Sequence, residues 1–406
     1  MIVAGNIAVA APTGTATEIF ASTFKSLRTT VEGNLLAPAV INLGSTDKLN
    51  ISFDELAEDY RYLRYKLVHC NADWTPSQLV ESEYINGFNI ADIYSYAYSE
   101  STLAHYVHYD LSLPNEDITF TLSGNYLLQV FDQDEPDDIL LQTRFMVSEN
   151  CVDITSELTS RTDVDYNRRH HQLAIEAGLE HANVADPFNE LTLVLEQNGR
   201  PDTRRTIVKP LRTSINKVVY EHQPGLIFPA GNEYRRFEMV NVRFPLRGID
   251  HYEYADPYYH AILTVDTPRA DSRYDYDEDQ SGRFFPGELN ADDSDIQADY
   301  IVTHFTLEMP QLQGRDVYLD GDMVQRKLDA DSRMVYDQNR GAYVKTLLLK
   351  QGLYNYQYIT SPAEDNSDIE GDKYETVNEY LILLYHRPQG ARYDRLIGSS
   401  VIYSHK

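Results

Sequence analysis

Short runs of alternating apolar and polar residues, each closed by turn residues after about eight to twelve positions, recur from residue 19 to residue 385. They limit the chain to packed sheets. The first series covers 19–27, 39–43, 49–53, 60–68, 105–113, 118–122, 126–131 and 140–147, with turn signals at Gly33-Asn34, Gly44-Ser45, Pro114-Asn115 and Gly124-Asn125. A second series runs through 170–177, 190–197, 206–211, 217–221, 234–242 and 258–265. Within it, Asn198-Gly199 supplies the positive φ angles of a hairpin turn. A third occupies 300–307, 317–319, 341–349, 353–359 and 380–385. Tyrosine, at 31 copies against 14 Phe and a single Trp, suits half-buried sheet faces with polar rims. The expected fold is all-β: tandem immunoglobulin-like (early-set) β-sandwiches with little helix. The expected boundaries are a flexible lead at 1–17 and sandwiches at 18–150, 151–298 and 299–406. The last of these has a carbohydrate-module look in 301–309 and 317–322. Thr75 and Pro76 can open one short helix at 75–78.

Charge narrows the partners. A formal charge of -28 and a pI near 4.7 argue against a phosphate backbone or an anionic membrane surface as the main partner. Residues 271–299 carry ten acidic side chains against Arg273 and Arg283, and read as an exposed loop. Within it Asp277, Asp279, Ser281 and Glu288 fall on oxygen-ligand positions of a calcium-loop template, with Gly282 at its turn position. Pro286 and Gly287 precede Glu288 and no helix flanks the loop, so a solvated acidic turn is the expectation and no metal site is assigned. Cys70 and Cys151 form no Cys/His pattern and read as two buried thiols. A bridge between them stays open, and in the chain-entropy model it would be worth roughly 3 to 4 kcal/mol. No run approaches the length of a membrane-spanning helix, and the apolar 1–11 lacks the basic start of a signal peptide.

No GxSxG, HExxH, GxGxxG or phosphate loop is present, and paired carboxylates are uninformative in so acidic a chain. The expectation is a non-enzymatic protein with no catalytic residues and no cofactor. His69 with Cys70, and His170 with His171, are strand neighbours that point to opposite faces and so do not converge on one ligand. Three aromatic clusters, 94–98, 252–259 and 354–358, place tyrosines two apart on one strand face. Core or cross-strand packing is the first expectation for them; an exposed stripe would instead mark a contact surface.

The most distinctive text is 61–88. A strand over 60–68 runs into Asn71, Asp73, Thr75 and Pro76, residues that favour a sharp corner, and Trp74 is placed to anchor that corner on a sheet face. His69-Cys70-Asn71-Ala72-Asp73-Trp74, followed by Glu83-Tyr84-Ile85-Asn86-Gly87-Phe88, resembles the signature of the type IX secretion system plug protein family of Bacteroidetes, formerly a domain of unknown function. Ser123-Gly124-Asn125-Tyr126, Arg144-Phe145-Met146-Val147, Gln197-Asn198-Gly199-Arg200, Gly231-Asn232-Glu233-Tyr234 and Gln351-Gly352-Leu353-Tyr354 resemble it too, in the family's order.

The resemblance implies a plug of the secretion translocon, periplasmic and associated with the outer membrane. It would dock on the periplasmic mouth of a large outer-membrane β-barrel and seal it when cargo is absent. The implied partner is that barrel, with no nucleic acid, no membrane span and no small-molecule substrate. The signature residues His69, Cys70, Asn71, Asp73, Trp74, Gly124, Asn125, Gly231, Asn232 and Gly352 are expected to be structural. The alternative is a secreted or periplasmic glycan-binding sandwich protein. Against it stands the absence of tryptophan from the carbohydrate-module-like end, since Trp74 is the only one.

Overall fold

The computed structural model describes residues 14–361 and 368–404. The apolar segment 1–11 lies outside them. The chain is all-β: antiparallel sheets dominate, and the α-helix among the described residues amounts to single turns at Glu81–Tyr84, Pro187–Glu190 and Ser294–Gln297. The expected helix at 75–78 does not form. Pro76 instead bridges back to Cys70, and the helical turn comes later, at Glu81–Tyr84. The chain divides into two compact units.

The first unit comprises residues up to Tyr98, Tyr106–Glu149 and Ala391–Arg395. One sheet runs in the order Glu18–Ile19, Glu135–Ser148, Gly124–Asp132, Leu63–Cys70, Ile90–Asp92. The other runs Phe24–Val31, Leu49–Glu55, Val107–Leu113, Ser95–Tyr98. Alternation makes the sandwich: along Leu63–Cys70, Leu63, Tyr65 and Leu67 are buried while Arg64 and Lys66 face outward. Tyr65, Leu128 and Phe145 from one sheet share a core with Ile51, Phe53 and Tyr109 from the other. Phe53 and Tyr109 stack at 5.3 Å, as do Tyr126 and Phe145 at 5.5 Å.

The second unit comprises Ser99–His105, Asn150–Gly390 and the residues from Leu396, and holds two cores. In one, the sheet Asp153–Thr159, His170–Gly178, Lys217–Tyr220, Arg212–Ser214 shares a core with Arg205–Ile207, Leu191–Gln197, Glu379–His386, Arg395–Tyr403. Asn198 and Gly199 both have positive φ, 54° and 65°, at the turn that leads from Leu191–Gln197 toward its partner Arg205–Ile207. The pairing of Leu191–Gln197 with Glu379–His386 brings a strand from beyond residue 299 into the core built by 151–228. The other core lies between Arg235–Glu238, Gly352–Ser361, Phe284–Pro286 and the five-stranded sheet Ile249–Ala255, Tyr258–Leu263, Tyr300–Glu308, Ala342–Lys350, Val335–Asp337.

The acidic stretch 271–299 is irregular apart from Phe284–Pro286 and Ser294–Gln297. Part of it packs inward: the Asp279 carboxylate receives the Tyr234 and Ser281 amides.

Candidate functional site

Leu63–Cys70 pairs with Gly124–Asp132, setting His69 opposite Tyr126 and Cys70 opposite Asn125. Beyond Cys70 the chain turns sharply. The Asn71 amide donates to the Thr75 carbonyl at 2.8 Å, the Trp74 amide to the Asn71 carbonyl at 2.9 Å, and the Thr75 amide to the Asp73 carboxylate at 2.9 Å. The turn forces Trp74 into left-handed backbone at φ 67°. Its side chain is nonetheless 4% exposed, with the Arg144 guanidinium 4.3 Å above the ring. The indole Nε1 is buried without a hydrogen-bond partner.

His69 is fixed from both ring nitrogens. Nε2 lies 3.0 Å from the Ser123 carbonyl, which can only accept, so the proton sits on Nε2 and Nδ1 accepts from the Ser77 hydroxyl at 2.9 Å. Burial holds its pKa below the usual histidine value. Tyr126 and Tyr393 meet the ring edge-on at 5.0 and 5.3 Å. Asn125 donates to the Asn71 carbonyl at 2.8 Å, and Asp394 accepts from the Ala72 amide at 2.9 Å. Seven of the signature residues, His69, Cys70, Asn71, Asp73, Trp74, Gly124 and Asn125, thus gather in one corner. Tyr393 and Asp394 complete it from the far end of the sequence. Burial pushes the Cys70 thiol up to about 12, so it stays protonated and is a poor nucleophile. No disulfide joins Cys70 to Cys151, and of the two expected buried thiols only Cys70 is buried, Cys151 being half-buried.

The other three signature residues lie in the second unit. The Gly231 amide donates to Asp372 at 3.0 Å, and Asn232 donates to the Glu370 carbonyl at 2.8 Å. A Cβ on Gly352 would stand 2.1 Å from the Phe285 carbonyl oxygen, so only glycine fits that pairing. His170 and His171 diverge: the first meets Asp165 at 2.7 Å, the second the Tyr380 hydroxyl at 2.9 Å and the Tyr374 carbonyl at 2.7 Å. The calcium-template residues do not converge either. Asp277 is paired with Arg236 and Arg247, Asp279 takes backbone amides, and Glu288 accepts from the Asn290 amide at 2.6 Å.

The aromatic clusters divide. Tyr354, Tyr356 and Tyr358 are core residues; Tyr354 donates to the Lys350 carbonyl, while Tyr356 and Tyr358 both donate to Asp266 at 2.7 Å. The 94–98 cluster is a surface. Ile90–Asp92 is the last strand of one sheet of the first unit and Ser95–Tyr98 the last strand of the other, so residues 88–98 cross the open side of the sandwich. Along that crossing Phe88, Ile90, Tyr94, Tyr96 and Tyr98 are all exposed, Phe88 at 87% and Tyr94 at 73%. Tyr60 stacks on Tyr96 at 4.5 Å and donates to the Tyr62 hydroxyl, which extends the aromatic surface. Edge strands of both sheets and a run of exposed aromatics thus lie together on this side, the features by which contact surfaces are recognised. The alternation of 94–98 gave the stripe but not its exposure, and Tyr60 and Tyr62 join it only through the fold.

In the second unit, Tyr254 and Tyr259 meet at 5.2 Å beside an open cleft of about 620 Å3, also lined by Asn241, Arg243, Gln297 and Gln351. No helix among the described residues is long and apolar enough to cross a membrane.

Residues 24–149 match the family model described as the type 9 secretion system plug protein 1st domain. The crystal structure of a hypothetical protein from Parabacteroides merdae ATCC 43184 superposes with a TM-score of 0.94 at 39% identity, covering 96% of this chain and 99% of that one. Pseudomonas fluorescens alkylpurine DNA glycosylase AlkC, bound to DNA containing an abasic site analog, aligns at a TM-score of 0.18 and 13% identity over 31% of this chain and 30% of its own, too little to carry an argument. No curated protein matches the chain.

Proposed function

The chain belongs to the type 9 secretion system plug protein family, and from that premise we propose that it is a non-enzymatic plug: it docks on the periplasmic mouth of the system's outer-membrane barrel and closes it when cargo is absent. The family match over 24–149 carries this reading. The open side of the first unit supplies the docking surface, Tyr62, Tyr94, Tyr96 and Tyr98 with the edge strands Ile90–Asp92 and Ser95–Tyr98. Tyrosine rings offer large contact area at small entropic cost while keeping a polar tip, which suits an interface that must release. The ten signature residues serve the plug as framework, the first-unit corner holding its strands in register. The protein acts in the periplasm, beside the outer membrane.

The test is an affinity pull-down of tagged protein from detergent-solubilised envelopes of its own organism, with partners identified by mass spectrometry. A giant outer-membrane barrel without cargo-shuttle lipoproteins in the same particles is the expected partner; its repeated absence sinks the reading.

A second reading, glycan binding, is favoured by the cleft beside Tyr254 and Tyr259, where aromatic faces and side-chain amides stand together. Retention on a glycan array, together with the absence of the barrel from the pull-down, selects it.

A further inference from the structure

One run of the second unit departs from the acidity of the rest. The chain carries 63 acidic against 35 basic side chains, yet residues 203–219 hold Arg204, Arg205, Lys209, Arg212 and Lys217 and no Asp or Glu. The fold puts this run on an edge. Arg205–Ile207 is the last strand of one sheet and Arg212–Ser214 the last strand of the sheet that shares its core, so 208–211 crosses one side of that sandwich. Pro210 is buried at the crossing, while Val208 and Leu211 beside it are exposed. Ser214 pairs with Lys217, which leaves Ile215 and Asn216 as the tip of a two-residue hairpin. Asn216 supplies the turn with its positive φ of 56°. Ile215, 93% exposed, contributes to neither turn geometry nor core.

Basic side chains on an edge ordinarily keep it from pairing with other strands. That role needs no aliphatic side chain in water, and here three stand among the cations. Arg204 pairs with Glu196, Arg212 with Glu221 at 3.1 Å and Lys217 with Glu176, whereas among the described residues no carboxylate pairs with Arg205 or Lys209. Exposed apolar tips beside cations without a carboxylate partner are the pattern of a segment that dips into a lipid headgroup layer. An added polypeptide strand fits less well. Both edge strands are three residues long, and the apolar residues lie at a crossing and a hairpin tip instead of alternating along a strand. The net charge of -28 does not forbid the contact at physiological salt, where screening over about 8 Å leaves the local charge to decide.

We propose that Val208, Lys209, Leu211 and Ile215, with Arg205, form a peripheral contact with an anionic phospholipid surface and seat this edge of the second unit against the bilayer. The inference rests on the plug reading only for the presence of a membrane beside the protein. So few groups give a weak, reversible contact, as a single acyl chain does.

The test is co-sedimentation of the purified full chain with vesicles of phosphatidylethanolamine containing roughly a third phosphatidylglycerol, over a range of lipid concentrations at about 0.15 M salt. No barrel is present, so the outcome is independent of the pull-down. The expected result is partition onto these vesicles and severalfold less onto vesicles of phosphatidylcholine alone. Lys209→Ser weakens partition about fivefold and Ile215→Asp about tenfold. Val335→Ser, at an exposed position on another sheet, leaves it unchanged. Circular dichroism checks that each variant is folded, and if Ile215→Asp fails to fold, Lys209→Ser decides. No partition of the wild type onto the anionic vesicles, or wild-type partition by the folded variants at 209 and 215, overturns the proposal. So does capture of the chain by immobilised polyglutamate without partition onto vesicles, which assigns the patch to an acidic protein partner.

Discussion

A Cβ on Gly124 would stand 2.5 Å from Nε2 of His69, the nitrogen that donates to the neighbouring Ser123 carbonyl. Gly124 also has φ 140°, where side chains are strained whatever the space. Glycine and histidine here are one device: the missing side chain admits the ring that ties the strand end to its corner. Gly124→Ala is expected to destabilise the first unit by about 3 kcal/mol. Urea unfolding followed by tryptophan fluorescence measures it, because the sole Trp lies in this corner and reports on this unit.

His69 also gives the first unit a pH dependence. Its folded pKa lies below the reference value of 6.5, so the unfolded chain takes up the proton first as pH falls. The stabilisation is fully present above 6.5 and is lost as pH falls toward the folded value. Unfolding midpoints of the wild type should therefore drop between pH 7 and pH 5. In His69→Gln, whose side chain cannot titrate, that part of the drop should vanish; an identical slope in the variant refutes the assignment.

Glu233 acts with the opposite sign. It is 1% exposed, receives the Tyr274 hydroxyl at 2.5 Å and the Val377 amide at 3.0 Å, and burial raises its pKa to about 7 from 4.5. The folded second unit keeps a proton that the unfolded chain releases. The stabilisation is complete below 4.5 and is lost as pH rises through about 7. Asp279, raised to about 6 by burial, adds in the same direction. Glu233→Gln keeps both accepted hydrogen bonds and removes the buried charge, so the variant should gain on the order of 2 kcal/mol over wild type at pH 8 and almost nothing at pH 4.5. Chemical unfolding followed by circular dichroism at the two pH values checks it.

What could be read from the sequence follows the range of each interaction. The alternation in Leu63–Cys70 and the Asn198-Gly199 turn are local, and both were legible. So was the corner at Asn71, Asp73 and Trp74, although its proline bridges back to Cys70 and starts no helix. The corner's other wall was not legible: Asp394 binds the Ala72 amide from 322 positions away, and nothing near Asp394 advertises it. The pairing of Leu191–Gln197 with Glu379–His386 was hidden for the same reason, because a strand's own pattern does not name its neighbour. A period of two also fails to say which face is wet. Tyr354, Tyr356 and Tyr358 share their spacing with Tyr94, Tyr96 and Tyr98, yet only the first set is buried.

That last contrast gives the prediction closest to function. Tyr62 and Tyr94 are 67% and 73% exposed; Tyr62 packs on Tyr60, and Tyr96 on Tyr60, Tyr98 and Tyr109. Removing the three rings should leave the core intact and cost mainly those four ring pairs, at the low end of about 0.5–1.5 kcal/mol each. The triple variant Tyr62→Ser, Tyr94→Ser, Tyr96→Ser should therefore stay folded, within about 3 kcal/mol of wild type. If these rings are the docking surface, the same variant loses the outer-membrane barrel from envelope pull-downs, because interface energy concentrates in a few central aromatics. Serine at three core tyrosines would instead unfold the second unit and lose every partner indiscriminately. A folded triple variant that still recovers the barrel at wild-type yield would move the docking surface away from this side of the sandwich.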